Sequence, residues 1–584
     1  MWQLGVLLSF ALHGVFAKQN CPLYGLGYPK PTNLLDQPDI RKAAAALDSI
    51  FSEQIDHSDQ TNSQNFSYSV EVFSVDDEEP LWSHHWTAPN LKGLNSTGVV
   101  EVDGNTVYRL GSVTKVFTIL TFLAEVGDSL WNEPITKYIP EIAALVVDGT
   151  DNSHSISTTD WQSITLGALA SQMSGLERDY ALVGELTQGT TSAQAAAYGF
   201  PVIGDAEIPP CGNNPVCNRT QFFEGLKKLP PSFSPHVTPA YSNIGFTLLG
   251  YALEQMTGRS FGEMVRDKVL EPLNLTRTFY SAPEDSLGII PGNRYQTNWA
   301  FDLGNESPTG NMYTSSSDLS RLGRAILKST LLPPTMTRRW LKPVVLSSDP
   351  KSGVGMPWGV RQLPLSSDTP YQFATTFNKA GTLGKYNALL AVIPDFNIGF
   401  SVLAAGDGLD GIAMDIADML SDIYLPTMVD VSRTQANDMY GGTYRSPDPA
   451  VNSTLSVVVD QTPGLSLSPW ISNGTNLGWF SVALSQGIQE EYWGKVQPSV
   501  RLYPTGLWDA VPGGGMRVAF KATFEDLSLP DISNPFTSDC VAWVTGSGIL
   551  YGSRPLDQFI FNINAAGDVT SVENGALRNK LEKV

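Results

Sequence analysis

The chain has 584 residues, 42% of them hydrophobic and 16% charged, with a formal net charge of −21 and an isoelectric point near 4.7. That composition can bury a sizeable core and excludes global disorder, and the length predicts more than one domain. The acidic balance repels phosphate backbones and anionic headgroups, so no nucleic-acid partner and no electrostatic membrane binding are expected.

Met1 to Ala17 reads as a secretory signal. The run from Leu4 to Phe16 is mostly apolar, Val15-Phe16-Ala17 is a small-x-small cleavage site, and His13 and Gly14 interrupt it short of a bilayer span. Cleavage would leave residues 18–430 as a main domain, with no membrane attachment, and place the product outside the cell or in the secretory pathway. Residues 18–40 are rich in Pro and Gly and are expected to wrap the surface. Residues 41–56 carry helical spacing, and Ser67–Val75 alternates like a strand, with a turn at Asp76-Asp77 and a partner at Leu81–Trp86. Ser112–Val126 predicts a helix closed by Gly127.

Residues 185–240 are irregular and read as an insertion or lid. Within them Cys211 and Cys217 are spaced to close a small loop around Gly212–Pro215, which leaves Cys21 to pair with Cys540. Tyr241–Thr257 returns to helical pattern. Phe373–Ala404 reads as two apolar strands separated by Pro394-Asp395, and Asp410–Tyr424 as a helix that ends the main domain. From 435 to 584, short alternating runs between Gly, Pro and Asn turns predict a small all-β domain, barrel or sandwich. Seven sequons, at Asn65, Asn95, Asn218, Asn274, Asn305, Asn452 and Asn473, predict a glycoprotein, with Asn305 weakened by Pro308.

Chemistry is concentrated in three short patterns. In Ser112-Val-Thr-Lys115 the two side chains share one helix face, and the apolar helix beyond would desolvate the lysine, lower its pKa and let it take the serine proton. A second S-x-x-K, Ser348–Lys351, holds Pro350 and cannot form that turn. Tyr241-Ser-Asn243 is the single Y-x-N among 20 tyrosines and opens a helix. A phenol there can relay a proton between nucleophile and leaving group, and Asn243 can hold a substrate carbonyl or Lys115. In Lys379-Ala-Gly381-Thr382 the glycine allows close approach of substrate, and the Thr382 N–H can complete an oxyanion hole with that of Ser112. Lys351-Ser-Gly353 is a rival for that place, but it lies in a Gly/Pro loop. No metal site and no cofactor are expected: there is no C-x-x-C, His84 and His85 point to opposite strand faces, and Gly513–Gly515 reads as a hairpin turn. No G-x-S-x-G elbow occurs either.

S-x-x-K, Y-x-N and K-x-G in this order resemble class C β-lactamases, DD-peptidases and related esterases, over residues 40–430. Gln172–Leu176 is similar to the H-T-S-G-L segment of that family, with Gln172 in place of histidine. Glu271–Asn274 and Asn311–Asp318 resemble its E-P-L-G-M and G-L-Y-S-T-x-x-D segments. The tail resembles that of fungal secreted or biosynthetic β-lactamase-like proteins. The resemblance implies an α+β, β-lactamase/transpeptidase-like fold: an antiparallel sheet flanked by helices plus a helical subdomain, with the nucleophile between them. It implies Ser112 as nucleophile, Lys115 as base and Tyr241 as proton shuttle, with Asn243, Lys379, Gly381 and Thr382 lining the substrate. Ala380 lacks the hydroxyl that helps β-lactam-recognising relatives bind a carboxylate, which favours small-molecule esters or other amides. Acyl transfer in a secondary-metabolite pathway and a catalytically silent binding homologue are the alternative readings.

Overall fold

Nine consecutive residues, Phe66 to Ser74, are buried on a strand next to one edge of the main sheet, although the sequence there alternates. Both faces of the strand are covered, so the polar members of the alternation must find partners inside. Glu71 does so by accepting from the hydroxyls of Ser316 (2.9 Å) and Ser317 (2.8 Å), at the start of helix Ser316–Lys328.

The computed structural model describes residues 18–25, 27–56, 63–94, 96–146, 151–366, 371–529, 540 and 542–584. The predicted signal segment and the Asn95 sequon lie outside them. The chain divides into two compact units: Thr32–Leu363 with Thr375–Tyr424, and Met1–Pro31 with Pro364–Ala374 and Leu425–Val584.

The first unit is built on an antiparallel sheet of eight strands. In spatial order they are Trp82–Trp86, Phe66–Ser74, Ile398–Gly406, Tyr386–Ile393, Phe373–Leu383, Gly359–Pro364, Ser352–Val354 and Val345–Leu346. Helix Ser316–Lys328 covers one face. On the other, Phe51, beyond helix Pro38–Ile50, packs its ring against Tyr68 and Trp82. Helices Thr114–Val126, Leu166–Ala170, Asn243–Thr257 and Phe261–Val265 pack on one another as a helical part.

Two elements differ from the sequence reading. Phe373–Gly406 holds three strands instead of two, because Gly384 takes φ +57° and turns the chain at Gly384-Lys385. A Cβ at Gly384 would lie 2.4 Å from the Thr297 carbonyl, so packing and backbone both demand glycine. The helix expected to end at Tyr424 instead runs Ile412–Tyr440, straight through Pro426. The loss of one backbone hydrogen bond there is outweighed by burial of Tyr424, Leu425, Met428, Val431, Ala436 and Tyr440 along it.

The second unit is a closed antiparallel β-barrel. Strand Thr454–Val458 pairs with Gly442–Arg445, and the order continues through Asn579–Lys583, Val569–Asn574, Gln558–Ile563, Gly515–Asp526, Pro498–Val511 and Leu465–Ser472. Leu465–Ser472 then pairs back onto Thr454–Val458, with Leu455 opposite Trp470, which decides between barrel and sandwich. Rings of Trp470, Phe520, Phe559 and Phe561 fill it, and helix Leu477–Ser485 packs on its strands. Disulfide Cys21–Cys540 lies in this unit and Cys211–Cys217 in the first. Among the described residues no helix is long and apolar enough to cross a membrane.

Candidate active site

Ser112 sits in a single 3-10 turn, Gly111–Val113, between the short strand Val107–Arg109 and helix Thr114–Val126. Gly111 has φ +52°, and a Cβ there would meet the backbone of Thr382 at 2.9 Å. A Cβ on Gly381 would lie 2.1 Å from the Leu110 carbonyl and 2.7 Å from the Ser112 nitrogen. These two glycines let strand Phe373–Leu383 run against the serine turn, so the Ser112 and Thr382 backbones lie side by side.

Lys115, one turn along, is fully buried. Its Nζ donates to Asn243 Oδ1 (2.7 Å), to the Thr309 carbonyl (2.8 Å) and to Ser112 Oγ (3.2 Å). No carboxylate touches it among these bonds. Burial pulls the ammonium down to about 7, with Asp179 opposing the fall and Arg178 adding to it. At neutral pH this amine exists in both protonation states.

The hydroxyl of Tyr241 donates to Ser112 Oγ at 2.7 Å. Three cations surround its ring, with Arg178, Lys115 and Lys379 at 4.9, 5.1 and 5.2 Å from the centroid. Lys379 is buried on its strand and donates to the Ala380 carbonyl at 2.6 Å. Burial lowers its pKa to about 8, against the opposing influence of Tyr241. Lys351, the rival cation, is exposed in the turn before Ser352–Val354.

Asn243 opens its helix, and its two amide atoms face different ways. Oδ1 accepts from Lys115, while Nδ2 donates to Asp179 Oδ1 (2.8 Å) and Oδ2 (3.1 Å). Asp179 can only accept when ionised, so it dictates which end of the amide meets the lysine. Its pKa is raised to about 6 by burial, which outweighs the Asn243 bond and the charges of Lys115 and Arg178. Glu306, also buried, is raised to about 8 by burial and by Asp179.

Ser112, Lys115, Tyr241, Asn243, Lys379, Gly381 and Thr382 therefore come together. Three further contributors carried no usable signal in the sequence. Asp179 and Arg178 follow the S-G-L pattern in a loop, and only the fold lays Asn243 on them. The Thr309 carbonyl is backbone, invisible to any motif. Gln172 did stand inside a recognised segment. It takes φ +63°, accepts from the Ser242 N–H (2.7 Å) through Oε1, and accepts from the Ala240 N–H (2.8 Å) through its carbonyl, which anchors the turn presenting Tyr241.

Of the sequons, Asn218, Asn274, Asn305, Asn452 and Asn473 are exposed, while Asn65 is half-buried and accepts from Asn90. Asn305 is followed by a buried Ser307 whose hydroxyl donates to Gly304. His84 meets Asp56 at 3.0 Å, apart from His85, and no group of three or more potential ligands could hold a metal among the described residues.

Comparison with known proteins places the chain. The family model described as Beta-lactamase matches residues 68–421, and that described as Beta-lactamase-like-like, C-terminal domain matches residues 432–584. A beta-lactamase-like protein of Arthroderma benhamiae is 28% identical over 607 residues, covering 99% of this chain and 98% of the relative. A probable hydrolase of Cochliobolus lunatus is 24% identical over 482 residues, covering 77% and 74%. Among solved structures, a class C beta-lactamase is 18% identical with a TM-score of 0.44, covering 68% of this chain and 98% of that one.

Proposed function

This chain belongs to the β-lactamase family, and we propose that it is a serine hydrolase cleaving an ester or amide bond through an acyl-enzyme on Ser112. One observation carries the reading: Ser112 Oγ lies within hydrogen-bond distance of both a buried lysine whose pKa is lowered to about 7 and a tyrosine hydroxyl. The name of the Cochliobolus relative, a probable hydrolase, supports it.

In this reading neutral Lys115 accepts the serine proton as Oγ attacks the carbonyl carbon. The backbone N–H groups of Ser112 and Thr382 receive the developing oxyanion. Tyr241 gives its proton to the departing oxygen or nitrogen and recovers one from Lys115, and the charge of Lys379 beside the ring steadies the phenolate in between. Water then attacks the acyl-serine with the same base, releasing the acid and restoring Ser112. Asn243 and the Thr309 carbonyl hold Lys115 in place, and Asp179 holds Asn243. Ala380, without a hydroxyl, favours esters or open amides over β-lactams. The two disulfides and the exposed sequons support passage through the secretory pathway.

Treatment with a fluorophosphonate followed by intact mass tests the reading. One adduct on the wild type and none on Ser112→Ala is expected. No adduct on the wild type, or an adduct on both, overturns it.

A further inference from the structure

The chain from 180 to 240 leaves the candidate site and returns to it. The Asn243 N–H donates to the Arg178 carbonyl at 2.7 Å, and the Ala240 N–H to the Gln172 carbonyl at 2.8 Å. Both ends of the excursion are thus tied together at Tyr241 and Asn243.

The first half of the excursion closes on itself. Gln188 Nε2 donates to the carbonyls of Cys211 (3.0 Å) and Pro209 (3.4 Å), and disulfide Cys211–Cys217 locks the return. A Cβ on Gly212 would lie 2.5 Å from the Ala181 carbonyl, so this neck is tight. Within the loop, Thr191 and Gln194 form a capping box that fixes helix Ser192–Ala197.

The loop forms an open cavity of about 460 Å³, lined by Leu186, Ala195, Tyr198, Phe200, Val202 and Ile203 among others. That volume suits a small molecule. The side chains are not turned into the core: Phe200 is 50% exposed, Tyr198 72% and Val202 79%. Glu185 is the one charged residue lining it, and its carboxylate already accepts from the Thr187 N–H (3.0 Å) and hydroxyl (2.6 Å). Apart from that one carboxylate the lining is apolar or hydroxyl-bearing, so the cavity offers a ligand chiefly apolar surface. Its first lining residue, Gly184, is five positions from Asp179, a chain reach of at most about 17 Å.

We propose that this cavity is a substrate subsite for an apolar arm, an alkyl chain or ring, carried by the ester or amide that acylates Ser112. The proposal rests on the serine-hydrolase reading. A substrate long enough to span from Ser112 past Asp179 would bury its arm here, a gain that small polar esters are too short to reach.

The test uses fluorophosphonates differing only in an ethyl or an octyl chain, with the rate of adduct formation read by intact mass. Ser112 Oγ displaces fluoride from phosphorus, the O–P bond forming as the P–F bond breaks, and its proton passes to Lys115. Each methylene entering the cavity should raise the rate about three- to fourfold, so octyl should outrun ethyl by at least about tenfold on the wild type. Phe200→Asp and Val202→Asp, both on exposed positions, should bring the two rates near parity while leaving the ethyl rate unchanged. Equal ethyl and octyl rates on the wild type, or variants that slow both alike, overturn the subsite while Ser112 labelling stands. No labelling by either probe overturns the Ser112 reading, and the subsite with it.

Discussion

Lys115 and Arg501 are both buried cations, one in each unit, and their surroundings differ in kind. Arg501, on barrel strand Pro498–Val511, meets Asp460 with both guanidinium ends, at 2.9 and 2.6 Å, and adds the carbonyls of Thr462 and Gly464 at 3.0 Å. Its charge is matched one for one, a fork on a carboxylate that fixes the strand to its neighbour. Lys115 has three acceptors at contact distance, all neutral: an amide oxygen, a carbonyl and the serine hydroxyl. Its nearest carboxylate, Asp179, stands behind Asn243. A buried cation with a counter-ion in contact is a structural pin, whereas one left among neutral acceptors readily gives up its proton and can serve as a base.

Substitutions can break or sharpen that contrast. The largest effect is expected from Ser112→Ala, which should lower kcat/KM by at least about 10⁴-fold with unchanged thermal unfolding, measured on any ester the wild type turns over. Lys115→Met should cost about 10³-fold in acylation. It should leave unfolding unchanged or raise its temperature, because an apolar chain of similar length replaces a desolvated amine. A strongly destabilised Lys115→Met would mean that the lysine is a pin after all.

Arg501→Met should do the opposite. Asp460 would lose its partner, and stability should fall by about 1–3 kcal/mol, the lower end of the range for a broken pair because Asp460 is 42% exposed. Its kcat/KM should stay within about twofold of wild type. A matching loss of activity without unfolding would break the comparison.

Asp179→Asn is the finest probe. Catalysis needs neutral Lys115, so kcat/KM should rise with pH through an acid limb near 7 in the wild type. The Asp179 carboxylate favours the ammonium. Removing its charge must lower the lysine pKa further, and the limb should move to more acid pH. The plateau should fall about fivefold, the worth of one hydrogen bond that orients Asn243. A pH profile of kcat/KM shows both, and a lowered plateau with an unmoved limb would reduce Asp179 to a packing role.

Sequence alone determined what depends on near neighbours. S-x-x-K spacing sets Ser112 and Lys115 on one turn, Gly127 ends the helix behind them, and the alternation after residue 435 dictates β-structure. The resemblance to the β-lactamase family supplied Tyr241 and Lys379, which no local rule could join to a serine over a hundred residues away.

Tertiary structure decided the rest, because each remaining question turned on which distant surface a segment meets. Closure of the barrel depends on one strand pairing, Thr454–Val458 with Leu465–Ser472, that alternation cannot distinguish from a sandwich edge. Pro426 stops a helix by every local rule, yet burial on both sides of it carries the helix on. Gly384 turns the chain with φ +57°, and the Thr297 carbonyl packed against it leaves no room for a Cβ. Asp179 is an ordinary loop carboxylate until the fold seals it under Asn243, and only then does it govern the lysine beside Ser112.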